Sequence, residues 1–303
     1  MKIAVIGIGV MGSAIARRLI EQEVEVFLFN RTPEKAQLAA GAKGTVCKTI
    51  AAATKQADFI ITSLNNADIV EQVVFGSNGI ATGGSTEKLL IDMSSIDPER
   101  TRQLSKRLKK DTGMSWIDSP LSGGASAAAT GSMTLMLGGH PADIDKARPV
   151  LSMLSNNFTH LGDTGCGQTV KLVNQILCAI SFISVTEAVH FAEQQGVDAS
   201  RIPGALTGGR ADSRILQEFM VKIAKRDFSP TGRIDNMLKD LEAVEKVLNE
   251  TGTELPLTSL VKKLNALLVA KGFGASDSAE YIRLFDDNLL KGEADESKQQ
   301  KQH

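Results

Sequence analysis

The chain has little from which to build a disulfide framework or a metal centre: three cysteines and four histidines in 303 residues. Cys47, Cys166 and Cys178 show neither a CxxC pair nor a metal-knuckle spacing, so they read as reduced thiols of a cytoplasmic protein, and no metal is expected. Charge of one sign is also lacking. The formal net charge is -1, which gives no electrostatic reason to expect a nucleic acid or an anionic membrane as partner. Long apolar runs are missing as well. The opening Met1-Lys2-Ile3-Ala4-Val5-Ile6 is one strand long and runs into glycines, unlike a secretory signal. The least polar later stretch, 172–186, is interrupted by Asn174, Gln175, Ser181 and Ser184 and falls short of a bilayer span. What remains is a soluble globular chain, long enough for two domains, with small molecules and other protein chains as its expected partners.

The first half alternates short apolar runs with helical patterns. Strands are expected at 3–6, 24–29, 59–63, 89–92, 116–118 and 133–137, with helices at 12–21, 33–40 and 69–74 between them. Such alternation predicts an α/β fold, with an N-terminal Rossmann doubly wound parallel sheet covered by helices on both faces. Near 162–167 the pattern changes. From 169 to about 195 the chain reads as one helix, apolar on nearly every side, and so expected to be buried against other helices or another subunit. The segments 214–225, 237–250, 257–271 and 279–288 are helical in pattern, which predicts a C-terminal all-α domain. The expected division is 1–164 for a nucleotide-binding domain, 165–291 for a helical substrate and oligomerisation domain, and 292–303 for a disordered tail.

The segment Gly7-Ile8-Gly9-Val10-Met11-Gly12 carries the clearest chemistry. A GxGxxG alone is only a glycine-rich turn. Here it closes an expected strand and opens an expected helix, the setting in which it binds a dinucleotide. Gly7 permits the tight turn, Gly9 lets a pyrophosphate approach the main chain, and Gly12 lets helix and strand pack closely. The helix N-terminus adds free N–H groups and a positive dipole end. An acidic residue at the end of the second strand would favour NAD, but the chain has Asn30-Arg31-Thr32 there. Arg31 can pair with a 2′-phosphate and stack on adenine, Asn30 and Thr32 offer neutral hydrogen bonds, and Lys35 adds a second positive charge. The expected cofactor is therefore NADP, with NAD less favoured.

Two later clusters make chemical sense together. Ser122, with the amides of Gly123 and Gly124, can form a small anion-binding nest for a substrate carboxylate. Lys171 and Asn174 lie one helical turn apart near the start of the long apolar helix. From these residues alone, Lys171 is equally well a group aimed into a cleft or a lysine snorkelling to solvent.

Three segments, Asp118-Ser119-Pro120-Leu121-Ser122-Gly123-Gly124, Gly165-Cys166-Gly167-Gln168-Thr169-Val170-Lys171-Leu172-Val173-Asn174-Gln175 and Lys239-Asp240-Leu241, occur in order after the glycine turn. Together they resemble the β-hydroxyacid dehydrogenase family, over the chain up to about Leu290. The resemblance implies that Lys171 is the proton donor, that Asn174 orients the substrate or Lys171, and that Lys239 helps bind cofactor and substrate. It adds Leu64, Asn65 and Ser95 to the residues lining the cofactor. Asn65 stands where relatives often carry proline, Leu121 replaces the usual valine, and Gly232 stands where an aromatic is often found. The implied reaction interconverts a short 3-oxo acid, tartronate semialdehyde first, and its 3-hydroxy acid, in a homodimer or homotetramer. Glyoxylate or succinic semialdehyde reduction, imine reduction and a non-catalytic NADPH-binding scaffold are the alternatives.

Overall fold

The computed structural model describes residues 1–287 and 289–290. They fall into two compact units, Met1–Lys171 and a second that begins at Leu172. The expectations for residue 288 and for a tail at 292–303 lie outside the described residues.

The first unit is built on a six-stranded parallel sheet of β1 (Lys2–Ile6), β2 (Glu25–Phe29), β3 (Thr45–Val46), β4 (Phe59–Thr62), β5 (Leu89–Asp92) and β6 (Ser115–Asp118), in the order β3-β2-β1-β4-β5-β6. Every pair is parallel, with Ile3 opposite Val26 on one side and Phe59 on the other. Both faces are covered, which is why the strands are apolar without alternation. Ile3, Val5 and Leu28 enter one core with Ile15 and Leu19, while Ala4, Ile6 and Phe27 enter another with Val70 and Leu104. Connecting these strands are α1 (Val10–Glu21), α2 (Pro33–Ala40), α3 (Ile50–Gln56), α4 (Ala67–Phe75), α5 (Ile80–Gly83) and α6 (Pro98–Thr112). Because the chain turns to opposite sides of β1 after its first crossovers, the carboxyl ends of β1 and β4 form the crevice where doubly wound sheets bind ligands.

A second, three-stranded sheet follows: β7 (Leu121–Ser122), β8 (Thr134–Leu137) and β9 (Asn157–His160), with α7 (Gly124–Thr130) and α8 (Pro141–Leu154). The expected strand at 133–137 thus belongs here and not to the large sheet. β7 pairs antiparallel with β8, Ser122 opposite Thr134.

Helix α9 (Cys166–Gln194) carries the chain from the first unit into the second. The second unit is helical: α10 (Ile202–Leu206), α11 (Arg214–Ala224), α12 (Ile234–Thr251), α13 (Pro256–Leu268) and α14 (Arg283–Asp286). Its core joins Phe182, Val185 and Val189 of α9 to Phe219, Met220, Leu241, Val261 and Tyr281. The helix expected at 257–271 forms as α13, and its last residues keep helical geometry up to Gly272, whose φ of 93° ends it. One expectation needs correction. Helix α9 is not buried all round: Val173, Leu177 and Phe191 are 48%, 62% and 68% exposed along one stripe. At 29 residues it is also long and apolar enough to cross a membrane, so length does not exclude that role; the aromatic and aliphatic core on its other side does the packing of a globular domain.

Candidate active site

Gly7 follows β1 at φ 95°, and a Cβ there would lie 2.6 Å from the Ser63 carbonyl oxygen. At Gly12 a Cβ would come within 1.9 Å of the Gly7 carbonyl oxygen, so α1 can close on the turn only with glycine. Gly9 is different. A Cβ at Gly9 would meet nothing within 4 Å, so packing inside the protein does not require glycine there. The space it leaves opens on a cleft of about 640 Å³ at the start of α1.

That cleft is lined by Gly7, Ile8, Gly9, Asn30, Arg31, Thr32, Leu64 and Asn65, eight of the residues expected to hold the cofactor. Val10, 78% exposed, Met11 and the buried Gly12 belong to α1 beside it. Asn30 serves the turn directly: its Oδ1 accepts from Ile8 N at 2.9 Å and its Nδ2 donates to Thr32 O at 3.0 Å. The side chain therefore braces both loops while lining the cleft. Arg31 and Lys35 line the cleft as expected, and Lys48 joins them. Lys48 is invisible to sequence reasoning because it follows β3, a strand of two residues with no readable pattern.

Farther along the sheet, β5 and β6 end in two buried carboxylates, Asp92 and Asp118, side by side in register. Burial pushes Asp92 up to about 6 against the opposing hydrogen bonds from Thr62 and Ser94, and the neighbouring Asp118 adds to the rise. Burial raises Asp118 too, while main-chain N–H groups at the start of α9 hold the rise down. Gly165 N and Gln168 N donate to Asp118 at 2.7 and 2.9 Å. The helix they open carries Lys171, whose Nζ donates to Leu121 O at 2.9 Å. The amine is thus held at the main-chain carbonyl of the residue before Ser122. Gly123 and Gly124, at φ 119° and 69°, turn the chain from Ser122 into α7, and a Cβ at Gly124 would meet open space. Ser95, half-buried, follows β5 between Ser94 and Ile96.

In the second unit Asn174 Nδ2 donates to Gln175 Oε1 at 2.8 Å, and Gln175 Nε2 donates to Asp240 Oδ2 at 2.6 Å. Asp240 also lies 3.5 Å from the Lys239 amine, so one carboxylate links the Asn174 helix to the lysine of α12. The loop before α12 is pinned by buried Asp277, which accepts from Thr231 N, Thr231 Oγ1 and Gly232 N at 2.5, 2.6 and 3.1 Å. At Gly232 a Cβ would meet only Ser278 Oγ, at 3.6 Å.

Residues 2–162 match the model of the NAD binding domain of 6-phosphogluconate dehydrogenase. Residues 165–285 match that described as NAD-binding of NADP-dependent 3-hydroxyisobutyrate dehydrogenase. The chain belongs to the β-hydroxyacid dehydrogenase family. Among its relatives in that family is the 2-hydroxy-3-oxopropionate reductase of Escherichia coli, 31% identical over 286 residues, 94% of this chain and 97% of that one. The L-threonate dehydrogenase of Cupriavidus necator is 30% identical over 294 residues, 97% of this chain and 99% of that one. The 3-hydroxyisobutyrate dehydrogenase of Mycobacterium tuberculosis, solved with L-serine, has a TM-score of 0.84 at 28% identity, over 93% of this chain and 98% of that one. As a β-hydroxyacid dehydrogenase the chain is an NAD(P)-dependent oxidoreductase of the 3-hydroxyisobutyrate dehydrogenase type, with a Rossmann domain and a helical C-terminal domain.

Proposed function

We propose that the chain is an NADP-dependent reductase of short carboxylate-bearing aldehydes, with tartronate semialdehyde as first substrate and Lys171 as proton donor. The observation that carries this reading is the 2.9 Å bond from Lys171 Nζ to Leu121 O, beside Ser122 and two left-handed glycines. When bound, the reduced nicotinamide supplies the hydride. Ser122 and the Gly123 and Gly124 amides hold the substrate carboxylate. Lys171 releases Leu121 O and gives its proton to the aldehyde oxygen, so that the alkoxide never stands uncompensated. Asn174, one turn further along α9, orients the substrate. The name of the Escherichia coli relative supports the substrate. An imine reductase is disfavoured because a lysine is present at 171.

The NADP preference is supported by Arg31, Lys35 and Lys48 on the cleft wall, with no acidic residue at 30–32, directly after β2. The uncovered stripe of Val173, Leu177 and Phe191 supports a homodimer or homotetramer in which another copy covers it. Cys47, Cys166 and Cys178 as reduced thiols suit the cytoplasm. The reading is tested by following NADPH and NADH oxidation with tartronate semialdehyde, glyoxylate, succinic semialdehyde and a cyclic imine. Faster turnover of a carboxylate aldehyde with NADPH is the expected result; turnover of the imine alone contradicts it.

A further inference from the structure

The first turn of α9 is tied to the neighbouring strand ends by side chains for which the chemistry above has no use. Gln168 is 1% exposed, and both ends of its amide are engaged on one stretch of main chain. Its Nε2 donates to Ser94 O at 2.8 Å and its Oε1 accepts from Ile96 N at 3.2 Å. Between those two residues lies Ser95. Ser94 is itself fixed: its Oγ accepts from Leu64 N at 3.0 Å, and its N–H donates to Asp92 Oδ1 at 3.0 Å. Leu64 and Ser95, which follow β4 and β5, are assigned to the cofactor, so Gln168 grips the segment that would flank it.

Asp118 and Gln168 constrain the helix in different ways. Asp118 accepts main-chain N–H groups at its end, which fixes how far α9 stands from β6. Gln168 reaches sideways and fixes rotation about the helix axis. Lys171 lies three residues on, on the same face, so that rotation decides where its amine points. At about 5 Å from the axis, a turn of roughly 10° displaces a side chain by about 1 Å. A displacement of that size can cost about a hundredfold in rate.

We infer that Gln168 is a positioning residue, acting through Lys171 by locking the rotation of α9 against the Ser94–Ile96 main chain. The inference rests on the reading of Lys171 as proton donor. Replacing Gln168 by Leu removes both bonds, and Gln168→Glu removes one conditionally. In the Gln168→Glu variant an ionised carboxylate opposes Ser94 O, whereas the protonated carboxyl donates to it as the amide does. Burial places that titration above the usual glutamate range.

The experiment measures kcat, the KM for NADPH and the deuterium isotope effect with [4-2H]NADPH for wild type, Gln168→Leu, Gln168→Glu and Lys171→Ala. Gln168→Leu is expected to lose about ten- to a hundredfold in kcat, with the KM for NADPH held and the isotope effect raised. Gln168→Glu is expected to recover towards wild type as pH falls below neutrality, which a general loss of packing would not do. Should Gln168→Leu fail to fold, the pH dependence of Gln168→Glu relative to wild type decides. A constant ratio across pH, or wild-type kcat in folded Gln168→Leu while Lys171→Ala is inactive, overturns this inference alone. Full turnover in Lys171→Ala overturns the proton-donor reading and this inference with it.

Discussion

The Lys171 amine donates to the Leu121 carbonyl at 2.9 Å, joining the first turns of a 29-residue helix to the residue before Ser122. That bond brings a cation to a turn suited to a carboxylate, within one compact unit. It also aims the lysine in the absence of substrate, so less side-chain freedom remains to be lost on binding.

Gly9 and Gly12 should respond differently to substitution. Gly12→Ala places a methyl group against the Gly7 carbonyl and is expected to lower stability by about 1–3 kcal/mol or more. A Cβ at Gly9 would meet nothing within 4 Å, so the melting temperature of Gly9→Val should stay near wild type while dinucleotide binding is lost. Thermal denaturation with and without NADPH checks both. A Gly9→Val protein still stabilised by NADPH would contradict the placement of the pyrophosphate.

Arg31 and Lys48 should govern the choice of dinucleotide. Removing a charged hydrogen-bond donor to the 2′-phosphate costs about 1.5–3 kcal/mol, roughly ten- to a hundredfold in NADPH affinity. NADH binding should change little, because it has no such phosphate. Titration of Arg31→Ala and Lys48→Ala with both cofactors measures the ratio; equal losses for the two would contradict a phosphate contact.

Asp92 should leave a mark on stability. Its pKa rises from 3.8 to about 6 on folding, so across that window the folded protein holds a proton that the unfolded chain releases. Stability therefore falls as pH rises from about 4 to 6, by up to about 3 kcal/mol, and the full penalty persists above that window. Asp92→Asn carries no charge at any pH. Relative to wild type it should gain stability between pH 4 and pH 7 in urea denaturation, and a difference that does not move with pH would contradict the prediction.

What could be read in the sequence was local. The glycine turn, its strand and its helix lie within 20 consecutive residues, and their spacing carries the chemistry. The parts missed depend on distant partners. Asn30 braces Ile8 across 22 residues, and Gln168 reaches Ser94 across 74. Asp118 and Gln168 stood within recognisable segments, yet no periodicity marks one side chain as a cap and another as a sideways tether. The apolar character of α9 was legible, but its composition did not separate the face packed in the helical core from the stripe left open at Leu177 and Phe191.

The most direct test is the rate of NADPH-dependent tartronate semialdehyde reduction by Lys171→Ala, with NADPH affinity measured in parallel. The expected result is a kcat lower by about 10²–10⁴-fold, with NADPH bound as in wild type. Undiminished turnover in the folded variant would contradict Lys171 as the proton donor.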